Sequence, residues 1–100
     1  MSTSREIEMM IPDAMSVEVN DDSLTVELDD GRTLSVPIVW YPRLSRATPA
    51  ERANFCIEGG GSVIHWPDLD EDVSVEGLLA GRRSMESQGS FARWLAGRGS

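Results

Sequence analysis

The chain has no lysine, one cysteine and one histidine among its 100 residues. The lone Cys56 rules out an internal disulfide, and it leaves no cysteine pair for zinc. With His65 as the single imidazole, a histidine-rich metal centre is excluded too, and no cofactor is expected. No stretch approaches the roughly 20 apolar residues of a membrane helix. The opening Met1-Ser2-Thr3-Ser4-Arg5-Glu6 lacks the apolar core of a secretory signal, so a cytoplasmic location is expected. Nine arginines carry all the positive charge against 17 acids, a net charge of −8. That balance opposes phosphate backbones and anionic lipid surfaces. Direct nucleic-acid and membrane binding are therefore not expected. A protein partner with a basic surface suits the charge.

The length is that of one domain with a modest core. Pairing with a second copy, a homodimer, would add stability to it. The charge is uneven. Residues 62–80 hold five acids and no base, whereas residues 81–100 hold four arginines against Glu86.

Three runs alternate apolar and polar residues, the period of half-buried strands: Ser16 to Asn20, Leu24 to Leu28, and Thr33 to Ile38. Asn20-Asp21-Asp22 and Asp29-Asp30-Gly31-Arg32 separate them as turns. An antiparallel meander is expected, with Pro37 at a strand end or edge. Pro42 to Ala47 suits a helical turn. Thr48-Pro49-Ala50-Glu51 has the spacing of a capping box, opening a helix that ends near Asn54. Phe55 to Glu58 and Ser62 to Trp66 read as a later strand pair around Gly59-Gly60-Gly61. Cys56 is expected to act there as a small hydrophobe. Ser74 suits the cap of a helix ended by Gly81. Phe91, Trp94 and Leu95 share one face of a last helix, with Arg93 and Arg98 expected off it.

The expected fold is α+β, an antiparallel sheet of about five strands with two or three short helices. Its parts are an arm over 1–15 docked by Met9-Met10-Ile11, a domain over 16–81, and a C-terminal segment over 82–100.

Several segments together resemble the family called domain of unknown function 2442. They are Val36-Pro37-Ile38-Val39-Trp40-Tyr41-Pro42-Arg43-Leu44, Ala47 to Asn54, and Gly60-Gly61 through His65-Trp66-Pro67-Asp68-Leu69-Asp70-Glu71-Asp72 to Leu78-Leu79-Ala80-Gly81. The resemblance implies a small, mostly bacterial α+β protein of the kind found in mobile or toxin–antitoxin-like gene pairs. It brings no catalytic residues with it. One architecture of the family adds a helix-turn-helix, for which residues after 81 leave no room.

The run His65-Trp66-Pro67-Asp68-Leu69-Asp70-Glu71-Asp72 holds the densest chemistry. Asp68, Asp70 and Asp72 open like a calcium loop, but Val73 stands where its glycine belongs and Leu79 where its glutamate belongs. The remaining reading is an acidic loop leading into a helix. His65 points opposite Ile64 and Trp66, at the surface or on a hydrogen bond. Ser62, His65 and Asp68 do not form a triad, because residues three apart on a strand face different ways. The Gly59-Gly60-Gly61 run lacks the lysine and helix start of a phosphate loop. Trp40, Tyr41 and Trp66 serve as core or as an aromatic patch. Phe91, Trp94 and Leu95 dock on the domain or meet a partner.

The expected function is non-catalytic protein–protein interaction, as the neutralising or accessory member of a toxin–antitoxin-like or defence-related pair. The partner-binding candidates are Trp40, Tyr41, His65, Trp66, Asp68, Asp70, Glu71, Asp72, Phe91, Trp94 and Leu95. The competing classes are a small enzyme or metal-dependent subunit centred on His65 and the 68–72 loop, and an accessory subunit of a nucleoprotein complex.

Overall fold

Alternation from residue 14 onward builds the first sheet. The computed structural model describes residues 11–84 and 86–98. Strands β1 (Ala14–Val19), β2 (Ser23–Leu28) and β3 (Thr33–Pro37) pair antiparallel in the order β1-β2-β3. Leu24, Val26 and Leu28 all point to the core. The Asn20 side chain closes the first turn, with its Oδ1 accepting from the amides of Asp22 and Ser23 at 2.8 Å each. At the second turn Gly31 has φ 94°, a backbone setting that favours glycine. The strand expected through Ile38 stops at Pro37, and Ile38 to Trp40 turn as a short 3-10 helix. Of the expected arm, Met9 and Met10 lie outside the described residues. Ala14 and Met15 already belong to β1.

Helix α1 (Pro42–Ser45) and helix α2 (Pro49–Ala53) follow. The capping box forms as expected: the Glu51 amide donates to Thr48 Oγ1, and the Thr48 amide donates to Glu51 Oε1.

The second sheet corrects the expected strand count. Strands β4 (Cys56–Glu58), β5 (Val63–Trp66) and β6 (Glu71–Ser74) pair antiparallel, giving two three-stranded sheets and six strands among the described residues. The acidic run was expected to be a loop. Its second half is instead the edge strand β6. Charged side chains are compatible with an edge, where one side of the strand faces water. Asp70 allows the return, holding φ at 51° between the strands. Aspartate tolerates that left-handed setting better than most residues.

Gly61 ties the sheets together. Its carbonyl accepts from the Ala14 amide at 2.8 Å, and a Cβ at Gly61 would fall 2.4 Å from that of Asp13. Ile64, Trp66, Leu69, Val73, Val75 and Leu78 join the β2 residues in one core. Cys56 departs from its expected place: β4 is a short edge strand with all three residues exposed, and the thiol is free.

Ser74 caps helix α3 (Val75–Leu79), accepting from the Gly77 amide at 2.9 Å. Helix α4 (Gln88–Arg98) is the last element among the described residues. Phe91, Trp94 and Leu95 are half-buried on it, and Trp94 packs against the core. Arg98 does not lie off this face. Its guanidinium sits 4.5 Å from the Trp94 ring centre and donates to Glu51 at 2.9 and 2.6 Å. Positions 94 and 98 are four apart and so share a helix face. The helix thus docks on its own domain. Trp94→Ala is expected to cost about 1–2 kcal/mol in urea unfolding. Amide exchange over Gln88–Arg98 should quicken first; unchanged exchange there would show that Trp94 is not what holds the helix.

Candidate functional site

Strand β6 forms one side of a cleft of about 520 Å³. Asp70, Glu71, Asp72, Val73 and Ser74 line it in succession. Arg82, Arg83, Ser84, Glu86 and Ser90 also line it, and Tyr41 and Arg43 come from the start of α1.

Arg43 holds these parts in place. Its Nη1 donates to the Leu69 carbonyl at 2.7 Å, while Nε and Nη2 grip the Glu86 carboxylate at 2.9 and 2.5 Å. Both partners are largely buried, so the pair is a fixed strut rather than a loose surface contact. The Arg43 hydrogen bonds hold the Glu86 carboxyl below its ordinary range. The Tyr41 hydroxyl donates to the Arg82 carbonyl at 3.0 Å and fixes the linker over the cleft. Arg83 lies 4.9 Å over the Trp40 ring.

Glu71 is different from its neighbours. It pairs in register with Trp66 and therefore faces the inner side of the sheet. Burial pushes its carboxyl up to about 7; Arg43 pulls against the rise, and Glu86, Asp72 and Asp70 add to it. Arg43 is the nearby cation, but each of its three nitrogens already binds Glu86 or the Leu69 carbonyl.

His65 and Asp72 lie one residue further on and on the outer side. They are register partners, and His65 Nδ1 is hydrogen-bonded to Asp72 Oδ1. That bond raises the His65 pKa above its ordinary value. Cys56 is the register partner of His65 on the other side, so thiol, imidazole and carboxylate stand in a row across the sheet. No group of three or more His, Cys, Asp or Glu converges as a metal-ligand set among the described residues.

The cleft gathers Tyr41, Asp70, Glu71 and Asp72 from the sequence candidates. The others fall elsewhere. Trp66 is 0% exposed, its Nε1 donating to the Arg52 carbonyl at 3.0 Å and its ring meeting Phe55, so it is core and not contact surface. Tyr41 is buried as well, although it contributes to the cleft lining. Asp68 is exposed and accepts from Asn54 Nδ2 at 3.0 Å, away from the cleft lining. On α4, Trp94 packs against the core, Phe91 stacks on Trp94, and Leu95 is half-buried. Arg43, Arg82, Arg83, Glu86 and Ser90 were not anticipated. They come from segments distant in sequence; Arg43, Glu86 and Ser90 stood inside segments that resemble the family, but nothing there marked them as lining one site.

No helix among the described residues is long and apolar enough to cross a membrane. Comparison with curated proteins returns no match. Two solved structures are similar. One is a protein of unknown function from Rhodospirillum rubrum, 28% identical, with a TM-score of 0.66 over 77% of this chain and 95% of that one. The other is an uncharacterised protein from Chromobacterium violaceum, 26% identical, with a TM-score of 0.65 over 97% of this chain and 88% of that one. The meander, the capped helix α2 and the β5–β6 return all lie within residues 14–84, the part matched by one family, and the chain belongs to that family, described as protein of unknown function (DUF2442).

Proposed function

We propose that this chain is a protein-interaction module without catalytic activity, and that the β6 cleft receives a basic segment of its partner. One observation carries this. Glu71 is a half-buried carboxylate among other acids, and its nearby cation, Arg43, is shared with Glu86. A guanidinium or ammonium entering the cleft would supply the missing charge and gain a poorly solvated ion pair. The neutralising or accessory member of a two-protein bacterial pair is the role that fits such a surface.

Calorimetric titration with an arginine-containing peptide at low salt tests the proposal. The double change Asp70→Asn with Glu71→Gln is expected to weaken binding about tenfold or more. Asparagine keeps the left-handed setting at position 70, so the fold is retained. Equal affinity in the variant would overturn the reading.

A second reading has one point in its favour: a carboxyl near 7 suits a general acid or base. Such a reaction needs a second group free to act. The Tyr41 hydroxyl is bound to Arg82 and the Arg43 guanidinium to Glu86, so the cleft favours binding.

A further inference from the structure

The cleft is lined by β6 residues from both faces of the sheet. Glu71 and Val73 pair with the buried Trp66 and Ile64 on the inner side, while Asp72 and Ser74 alternate with them on the outer side. A cleft that touches both sets runs along the edge of the strand. Among the described residues β6 pairs with β5 alone, so its other edge offers backbone donors and acceptors to this space.

We infer that this edge takes an extended basic segment of the partner as a fourth strand of the second sheet. The inference rests on the cleft being the contact for a basic partner, and it adds how that partner is held. Main-chain hydrogen bonds supply the attachment and alternate side chains the selection. The residue set opposite Glu71 falls within about 5 Å of it, Cβ to Cβ, and is the basic one. The residue two positions away lies opposite Val73 and is apolar. Asp72 adds less selection, since His65 already occupies it. Arg82 and Arg83 are exposed on the far wall, and Arg83 is drawn onto the Trp40 ring. A second copy of this chain is the wrong occupant. Bringing two β6 edges together would crowd the acidic residues 70–72 of both copies into one cleft, and such like-charge juxtaposition is costly.

The test titrates the full chain at low salt with a seven-residue peptide alternating threonine and valine around one central arginine. A control peptide carries glutamate in place of the arginine. Two further arginine peptides are N-methylated on one or the other alternate set of backbone amides. Strand addition expects the glutamate peptide to bind at least about tenfold more weakly. One methylated peptide should lose binding by a similar factor while the other keeps it, because only one set of amides faces β6. Equal effects of the two methylation patterns would overturn strand addition and leave the basic-partner reading standing. No binding by the arginine peptide would overturn both. A dimer of the chain that the peptide disperses would assign the edge to a second copy instead.

Discussion

Arg52→Met is expected to destabilise the fold by about 2–4 kcal/mol, whereas Asp21→Asn changes stability by no more than about 0.5 kcal/mol. Arg52 is the buried charged residue of the core region, 7% exposed. Its Nε donates to the Leu44 carbonyl and its Nη2 to the Ser45 carbonyl, both at 2.9 Å. These are carbonyls at the end of α1; the Leu44 carbonyl also accepts from the Ala47 amide at 3.2 Å, so Ser45 is the carbonyl that leans most on Arg52. Nη1 reaches Asp21 at 2.7 Å, but the Asp21 side chain is 93% exposed and its charge is solvated. An exposed ion pair contributes little, whereas losing the charged donors to these buried and part-buried carbonyls costs more. Methionine fills much of the volume and donates nothing, so it isolates the lost hydrogen bonds. Urea unfolding of both variants settles the order. If Asp21→Asn cost as much as Arg52→Met, the ion pair would be the stabilising element and the capping account would be wrong.

Arg52 also shows where sequence reasoning stops. It sits in a capped helix, and a single arginine there carries no sign that it will turn inward. The local features were legible. The alternation of Leu24, Val26 and Leu28, the turn at Asp30-Gly31 and the box at Thr48 each depend on residues close in sequence, and each formed as expected. Strand β6 was hidden because Glu71 and Asp72 read as loop residues. Its apolar face shows only at Val73, with Val75 already beyond the strand. Cys56 misled in the opposite way: an apolar run of three residues reads as core, but at a sheet edge it stays exposed. The partnership of His65 with Asp72 follows from the hairpin register and passes over the nearer Asp68 and Asp70. The cleft required the linker at Arg82 and Glu86 to pack against β6, a long-range contact that no spacing in the sequence encodes. Two other proteins of similar fold and unknown function show the same architecture, but a shared fold does not name a function.

Glu71→Gln is expected to make the protein more stable at pH 8 by roughly 1–2 kcal/mol and to leave it nearly unchanged at pH 5. The sign follows from protons bound. Glu71 titrates near 4.5 when unfolded and at about 7 when folded, so between these values the folded state holds the extra proton. Its contribution is present below 4.5 and is lost as pH rises through 7. The range is set well under the full shift, since water reaches part of the carboxyl. His65, raised by Asp72, acts in the same direction: its contribution is present below its unfolded pKa and lost as pH rises through the folded one. Glu51 acts in the opposite direction. Arg98 and the Thr48 amide lower it to about 2, so its contribution is present above 4.5 and lost as pH falls toward 2. Stability should therefore peak in mildly acidic solution, near pH 5. Urea unfolding at pH 5 and pH 8 checks the variant, and an equal gain at both would show that Glu71 does not titrate between them. A glutamate that weakens the fold at neutral pH needs a compensating use. A cation set against Glu71 favours its charged form and overcomes Asp70, Asp72 and Glu86 around it. The arginine peptide should therefore bind wild type more tightly at pH 8 than at pH 5, and lose that pH dependence with Glu71→Gln. The same carboxylate thus lowers stability in the free protein and selects the basic residue in the complex.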